Sequence, residues 1–140
     1  MPYAFLPHTG DIGIRVWGAS LDALMRSAIQ AFTDAVVDLG SVREMERVDV
    51  SCEAAAPDLL LHDLLSELLY LFDARGRLAR DAEVTVTRSE AGWRLSAHTR
   101  GEQLDAVRHR PKVLVKGVTY HALAVDQVAG GWEGTVILDI

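Results

Sequence analysis

Three short groups of residues in this chain of 140 have types and spacings that could do chemistry. The first is His8-Thr9-Gly10-Asp11, which stands just before an alternating apolar stretch. A polar cluster at the entrance of a strand falls at a sheet edge or tip, where loops hold functional groups. Asp11 has a structural reading too, as a turn residue bonded to its own backbone. The second group is Val115-Lys116-Gly117-Val118-Thr119-Tyr120-His121, in which Lys116 and Gly117 interrupt apolar runs. A glycine inside a strand marks a bulge or a close backbone approach, and a bulge would re-aim Lys116. The competing reading is an edge-strand lysine that blocks aggregation. The third group is Val136-Ile137-Leu138-Asp139-Ile140. Termini usually fray, so a strand pattern that runs to Ile140 is expected to be tied down there. Asp139 and the Ile140 α-carboxylate then set two anionic groups side by side, which repel unless a cation or a proton intervenes.

If the fold brings Asp11 to that end, three oxygen ligands meet. Such a set suits a hard divalent cation: Ca²⁺, Mg²⁺ or Mn²⁺. Zinc favours His and Cys, and the five histidines, His8, His62, His98, His109 and His121, include no pair at ligand spacing. His62 sits in an apolar helical stretch and reads as a satisfied core or interface residue. His98 and His109 read as surface positions. His8 and His121 adjoin the groups above and are candidates to support a site from behind its ligands. Cys52, the only cysteine, reads as a buried structural thiol, since no activating base is evident beside it.

The elements that must position these groups follow from periodicity. Residues 11–17 alternate with period two and read as a half-buried strand. Ser20 is a good N-cap for a helix whose apolar stripe runs from Leu21 to Leu39, with Gly40 expected to end it. Residues 46–53 alternate again as a strand. Pro57-Asp58 opens a second helix, whose leucines cover more than one stripe, so burial on two sides is expected; Gly76 ends it. Beyond it no convincing helix is found. Strands are expected at 82–88, 93–99, 113–115 joined to 118–128, and 132–139, with turns at Glu90-Ala91-Gly92 and Gly130-Gly131. The expected fold class is α+β: an antiparallel-rich, twisted β-sheet sandwich with two helices packed on one face, forming a single domain over residues 1–140.

Composition narrows the function classes. Apolar residues make up 49% and charged residues 24%, enough for a core and too apolar overall for disorder. No run reaches the roughly 18 apolar residues of a membrane span. The first residues lack the basic and apolar regions of a signal peptide, so a cytoplasmic location is the default expectation. A net charge of −6 argues against a nucleic-acid binder that relies on a broad basic surface. The one basic cluster, Arg108, His109, Arg110 and Lys112 with Lys116 close behind, is short and reads as a solvated loop.

Taken in order, the three groups resemble the archease family. That family opens on a motif like HTADI, carries a central motif like EVKAVTYH and closes on Asp-Ile. Here the corresponding residues are His8 to Ile12, Val115 to His121, and Asp139-Ile140. The GxSL helix start at Gly18 to Leu21, the LL…ELLYLFD run of the second helix, and Gly101-Glu102 ahead of Arg108-His109 also look like the family, so the resemblance spans the chain. Gly10 and Gly117 stand where the family usually has Ala. The resemblance implies a protein cofactor, not an enzyme. It would activate an RtcB-type RNA ligase of tRNA splicing and RNA repair, promoting the ligase's GTP-dependent guanylylation and its multiple turnover. It further implies a divalent cation, typically calcium, at the tip of the fold, with ligands corresponding to Asp11, Asp139 and Ile140. The family's functional lysine corresponds to Lys116, acting as a point charge and not catalytic in isolation. The implied partner is the ligase, with RNA reached only through it and no membrane. Two other classes stay open on the residues alone: a metal-dependent phosphohydrolase using the same carboxylates, and a chaperone-like interaction module.

Overall fold

A computed structural model of the chain describes residues 2–140, with the side chains of Pro7 and His8 outside the described part. Among the described residues, eight strands and two long helices form an α+β fold, as expected. Strands β1 (Tyr3–His8) and β2 (Asp11–Gly18) make a hairpin, and β2 pairs antiparallel with the last strand, β8 (Gly131–Asp139). The other edge of β8 carries the short strands β6 (Gly117–Val118) and β7 (Ala124–Val128). A second sheet has the order β3 (Glu46–Ala54), β5 (Gly92–Gln103), β4 (Arg77–Ser89). The strands thus divide into two antiparallel sheets. Both helices, α1 (Leu21–Val36) and α2 (Pro57–Arg75), pack against strands of each sheet.

The helices form for the reasons their sequences give. The Ser20 hydroxyl accepts the Ala23 N–H at 3.1 Å, capping one of the donors that a helix start leaves unpaired. Leu24, Met25, Ala28 and Ile29 are then fully buried along one stripe. Helix α2 starts on Pro57, where a missing N–H costs nothing, and stops at Gly76, whose φ of 63° is left-handed. Its leucines 60, 61, 64 and 65 are all fully buried. Burial on two sides follows from contact with both sheets.

The chain departs from the sequence expectation in several places. Helix α1 ends at Val36, not at Gly40; the Val37 N–H bonds back to the Thr33 carbonyl, and Leu39–Ser41 form a separate single turn capped by Asp38. Strands β4 and β5 are longer than predicted. A one-turn helix, α3 (Ala106–His109), follows β5. Residues 113–115 are irregular and not a strand, although Val115 is buried against the core. Strand β1 carries no alternation strong enough to have been predicted.

His109 is buried, not a surface residue, and Arg108 beside it is tied down, whereas Arg110, Lys112 and Lys116 of the basic cluster are exposed in an irregular stretch. Glu102 accepts two bonds from Arg108 (2.6 and 2.9 Å), one from the His109 Nε2–H (2.9 Å) and one from the Arg43 backbone N–H (2.7 Å). The Asp105 N–H donates to His109 Nδ1 at 2.8 Å, which leaves Nε2 as the protonated nitrogen. These bonds, led by those from Arg108, hold the Glu102 carboxyl at about 2, below its ordinary 4.5. They fix the turn from which the chain runs to Lys116. Further along, the Lys112 N–H reaches the Val36 carbonyl at 2.7 Å and its Nζ the Asp34 carbonyl at 2.8 Å. Because its folded value is depressed, Glu102 contributes stability that is fully present above pH 4.5 and lost as pH falls toward 2. Glu102→Ala is expected to cost about 3 kcal/mol at neutral pH in urea unfolding, and to flatten the loss of stability in that acid range.

Candidate functional site

The register of the first sheet brings the three sequence groups together. Asp11 lies directly opposite Asp139, and Asp139 is also paired with Gly117 on its other side. His8 pairs with Asp11 across the hairpin. One row across four strands therefore reads His8, Asp11, Asp139, Gly117. The Ile140 N–H donates to the Gly10 carbonyl at 3.1 Å. Opposed residues alternate between bonded and non-bonded pairs, so Asp11 and Asp139 occupy a non-bonded pair, the kind that brings Cα atoms to about 4.5 Å and side chains closest.

The core sets this register. Ile14 and Val16 of β2 and Val136 and Leu138 of β8 are fully buried on the inner face, which leaves Asp11 and Asp139 to the outer face. A slip by one residue would expose the whole apolar set. Asp139 is exposed, whereas Asp11 is half-buried with its Oδ1 shut off from solvent and, among the described residues, without a hydrogen-bond partner. A buried carboxylate oxygen with no donor is costly, and a cation bound between the two carboxylates would satisfy it. The donors are all oxygens, which fits a hard cation better than zinc. Among the described residues, no three His, Cys, Asp or Glu side chains gather as a cage. Backbone and terminal oxygens would have to complete the coordination.

Lys116 is exposed just before β6, and its N–H donates to the Asp139 carbonyl at 2.7 Å. Gly117 is the residue paired with Asp139, so two consecutive residues address one on β8. Residues 110–116 are irregular, so Lys116 stands where the ladder begins and not at a bulge inside a strand. Of the other candidates, His121 is exposed in the loop beyond β6, and the His8 side chain lies outside the described residues. Cys52 is half-buried, and burial pushes its thiol up to about 11, which keeps it protonated and inert at neutral pH. Sequence reasoning did not foresee what holds the Lys116 segment: Glu102, His109, and His62, whose Nε2 lies 2.9 Å from the Val118 carbonyl.

The model of the Archease protein family matches residues 3–140. The chain belongs to the archease family. It is 37% identical to the archease of Pyrococcus abyssi over 134 residues, covering 95% of this chain and 94% of that protein. It is 34% identical to the Methanopyrus kandleri archease over 140 residues, the full length of both. Its fold matches the solution structure of a Methanobacterium thermoautotrophicum protein with a TM-score of 0.87 and 25% identity over 99% of each chain. A Thermotoga maritima archease described as a possible chaperone superposes with a TM-score of 0.57 at 14% identity, over 96% of this chain and 94% of that one. That second likeness bears on the fold alone. No helix among the described residues is long and apolar enough to cross a membrane.

The two glycines that depart from the family's usual Ala are not equivalent. Gly10 has φ of 81°, the left-handed value a type II turn needs at its third position. Gly117 has ordinary φ, and a Cβ placed there meets nothing within 4 Å. Gly10→Ala is expected to lower stability by about 1 kcal/mol, and Gly117→Ala to raise it by about 0.5 kcal/mol. Paired denaturant titrations check both; an equal effect of the same sign would contradict the two backbone conformations.

Proposed function

We propose that this archease is the protein cofactor of an RtcB-type RNA ligase, and that it promotes the ligase's guanylylation and repeated turnover through the Asp11–Asp139 row. The observation that carries this reading is the direct cross-strand pairing of Asp11 with Asp139, with one Asp11 oxygen buried and without a partner among the described residues. Asp11 and Asp139 would hold a divalent cation, calcium by preference and Mg²⁺ or Mn²⁺ by the same oxygen chemistry, with the Ile140 α-carboxylate as a third ligand. When bound, the cation supplies positive charge that can neutralise carboxylate or phosphate oxygens. Lys116 adds a point charge, suited to orienting phosphates or carboxylates of the partner's site. The acidic balance of the chain, −6, favours encounter with a basic ligase surface over free RNA. RNA is then reached only through the ligase.

An enzyme reading finds less support. Asp11, Asp139 and Lys116 lie on an open outer face, and the cavity lined by Phe32, Val36, Leu68 and Leu71 borders none of them. A phosphohydrolase would need its carboxylates in an enclosing pocket.

Two measurements test the proposal. With a matched ligase, GTP and Mn²⁺, the wild-type chain is expected to accelerate guanylylation. Asp11→Ala, Asp139→Ala and Lys116→Ala should each reduce that acceleration about tenfold or more, and full activity in all three would remove the site. Calorimetric titration with Ca²⁺ addresses the terminus. A C-terminal extension beyond Ile140 should weaken binding about tenfold, while an N-terminal extension should leave it unchanged. Equal affinities would take Ile140 out of the ligand set.

A further inference from the structure

The ladder that carries Lys116 is too short to hold it. Strand β6 has two residues, and the chain then leaves β8: residues 119–123 stand opposite only Ile137 and Val136 before pairing resumes at Ala124. Ala122 within this excursion has φ of 54°, a left-handed backbone that costs a non-glycine residue energy. Just before β6, residues 110–116 are irregular. A lysine between two irregular stretches should wander unless something other than the sheet fixes it.

The side chain that fixes it comes from helix α2. His62 is 8% exposed, and its Nε2 stands 2.9 Å from the Val118 carbonyl. A carbonyl only accepts, so Nε2 carries the hydrogen. The Tyr120 ring lies flat on the same imidazole, with centroids 3.9 Å apart and planes 12° from parallel. Tyr120 is 66% exposed, so this stack is what orders its ring. The other ring nitrogen, Nδ1, stands 3.5 Å from Asp63 Oδ1. On the opposite side Thr119 fastens to the Ile137 carbonyl through both its N–H and its hydroxyl, each at 3.0 Å. The segment from Lys116 to Tyr120 is thus gripped between β8 and one histidine.

We propose that His62 is a positioning residue for Lys116, acting through the Val118 carbonyl and the Tyr120 ring. This rests on the reading that Lys116 and the carboxylate row activate the ligase. The clamp does not touch Asp11 or Asp139, so it should govern activation without governing cation binding. The experiment uses the full chain with its ligase, GTP and Mn²⁺ for activation, and Ca²⁺ calorimetry on the chain alone. His62→Leu keeps the bulk and removes the donor; Tyr120→Leu removes the stack at the surface and carries the same test should His62→Leu fail to fold. Both are expected to lower activation about tenfold or more, the scale of a displaced working group. Ca²⁺ affinity should stay within about twofold, and amide exchange at Lys116 to Thr119 should quicken. His62→Gln, which can still donate to Val118, should recover most of the activation. Tyr70→Leu, elsewhere on α2, serves as the unaffected control. Wild-type activation in His62→Leu, with Lys116→Ala inactive, overturns the clamp while sparing the site. Parallel loss of activation and Ca²⁺ binding makes His62 merely structural and overturns it as well. Full activation in Lys116→Ala instead sinks the underlying reading, and the clamp with it.

Discussion

The antiparallel pairing of β2 with β8 is the constraint on which the rest of the molecule depends. Like charges directly opposed across two strands are unfavourable. At the separation of a non-bonded pair, two carboxylates repel by about 1 kcal/mol in bulk water and several times that near a protein surface. The sheet accepts this because Ile14, Val16, Val136 and Leu138 are fully buried on its inner face. Burying side chains of that size is worth about 1.5–3 kcal/mol each, and any one-residue slip would forfeit them together. The core therefore outweighs the charges and forces Asp11 against Asp139. An oxygen of Asp11 is left buried with no donor among the described residues, a local cost that a bound cation would relieve.

The second half of the site is held differently. Lys116 belongs to a stretch with almost no ladder, fixed by side chains bonding to backbone at intervals. Glu102 gathers Arg108 and His109 at one end, and Lys112 bonds to the carbonyls of Val36 and Asp34 in the middle. His62 bonds to Val118 at the far end. Carboxylates on a rigid sheet and a lysine on a strapped segment answer to different perturbations. Changes in the core should move the former, and changes in the straps the latter.

Periodicity and capping are local, and where structure is local the sequence was legible. Ser20, Pro57 and Gly76 mark helix ends because each satisfies or relieves a specific backbone group there. The β4–β5 and β7–β8 hairpins follow from turn residues alone. The end of α1 was misplaced because side-chain and backbone bonds just beyond it, not Gly40, stop it. The Asp34 Oδ1 accepts the Leu39 N–H at 3.0 Å and draws the chain into a separate turn. Residues 113–115 look like a strand because Val113, Leu114 and Val115 suit one, yet Lys112 is committed to α1 and draws the backbone off the sheet. His109 looked exposed because its basic neighbours conceal a buried acid seven residues earlier in the chain. The meeting of Asp11 and Asp139 could not be read from spacing at all, since they stand near opposite ends of the sequence. Only the ordered likeness to the archease family pointed to it.

The openness of the row bears on how such a site could work. Asp139 and Lys116 are exposed, and in high dielectric a fixed charge acts weakly: a pair at 4 Å is worth about 1 kcal/mol in water against about 4 kcal/mol at an effective dielectric of 20. On the proposed reading, the exposed Asp139 and Lys116 gain strength only when water is excluded from around them. A partner that seats its own active site over the outer face would supply that exclusion, lowering the local dielectric around the carboxylates and Lys116. On the proposed reading, rigidity in the isolated chain matters more than reactivity. Its groups must already be in place when water is excluded, because preorganised charges need no rearrangement at the moment of reaction. The buried core behind β2 and β8 supplies that rigidity for Asp11 and Asp139, and the straps around Lys116 extend it to a segment the sheet alone would leave loose.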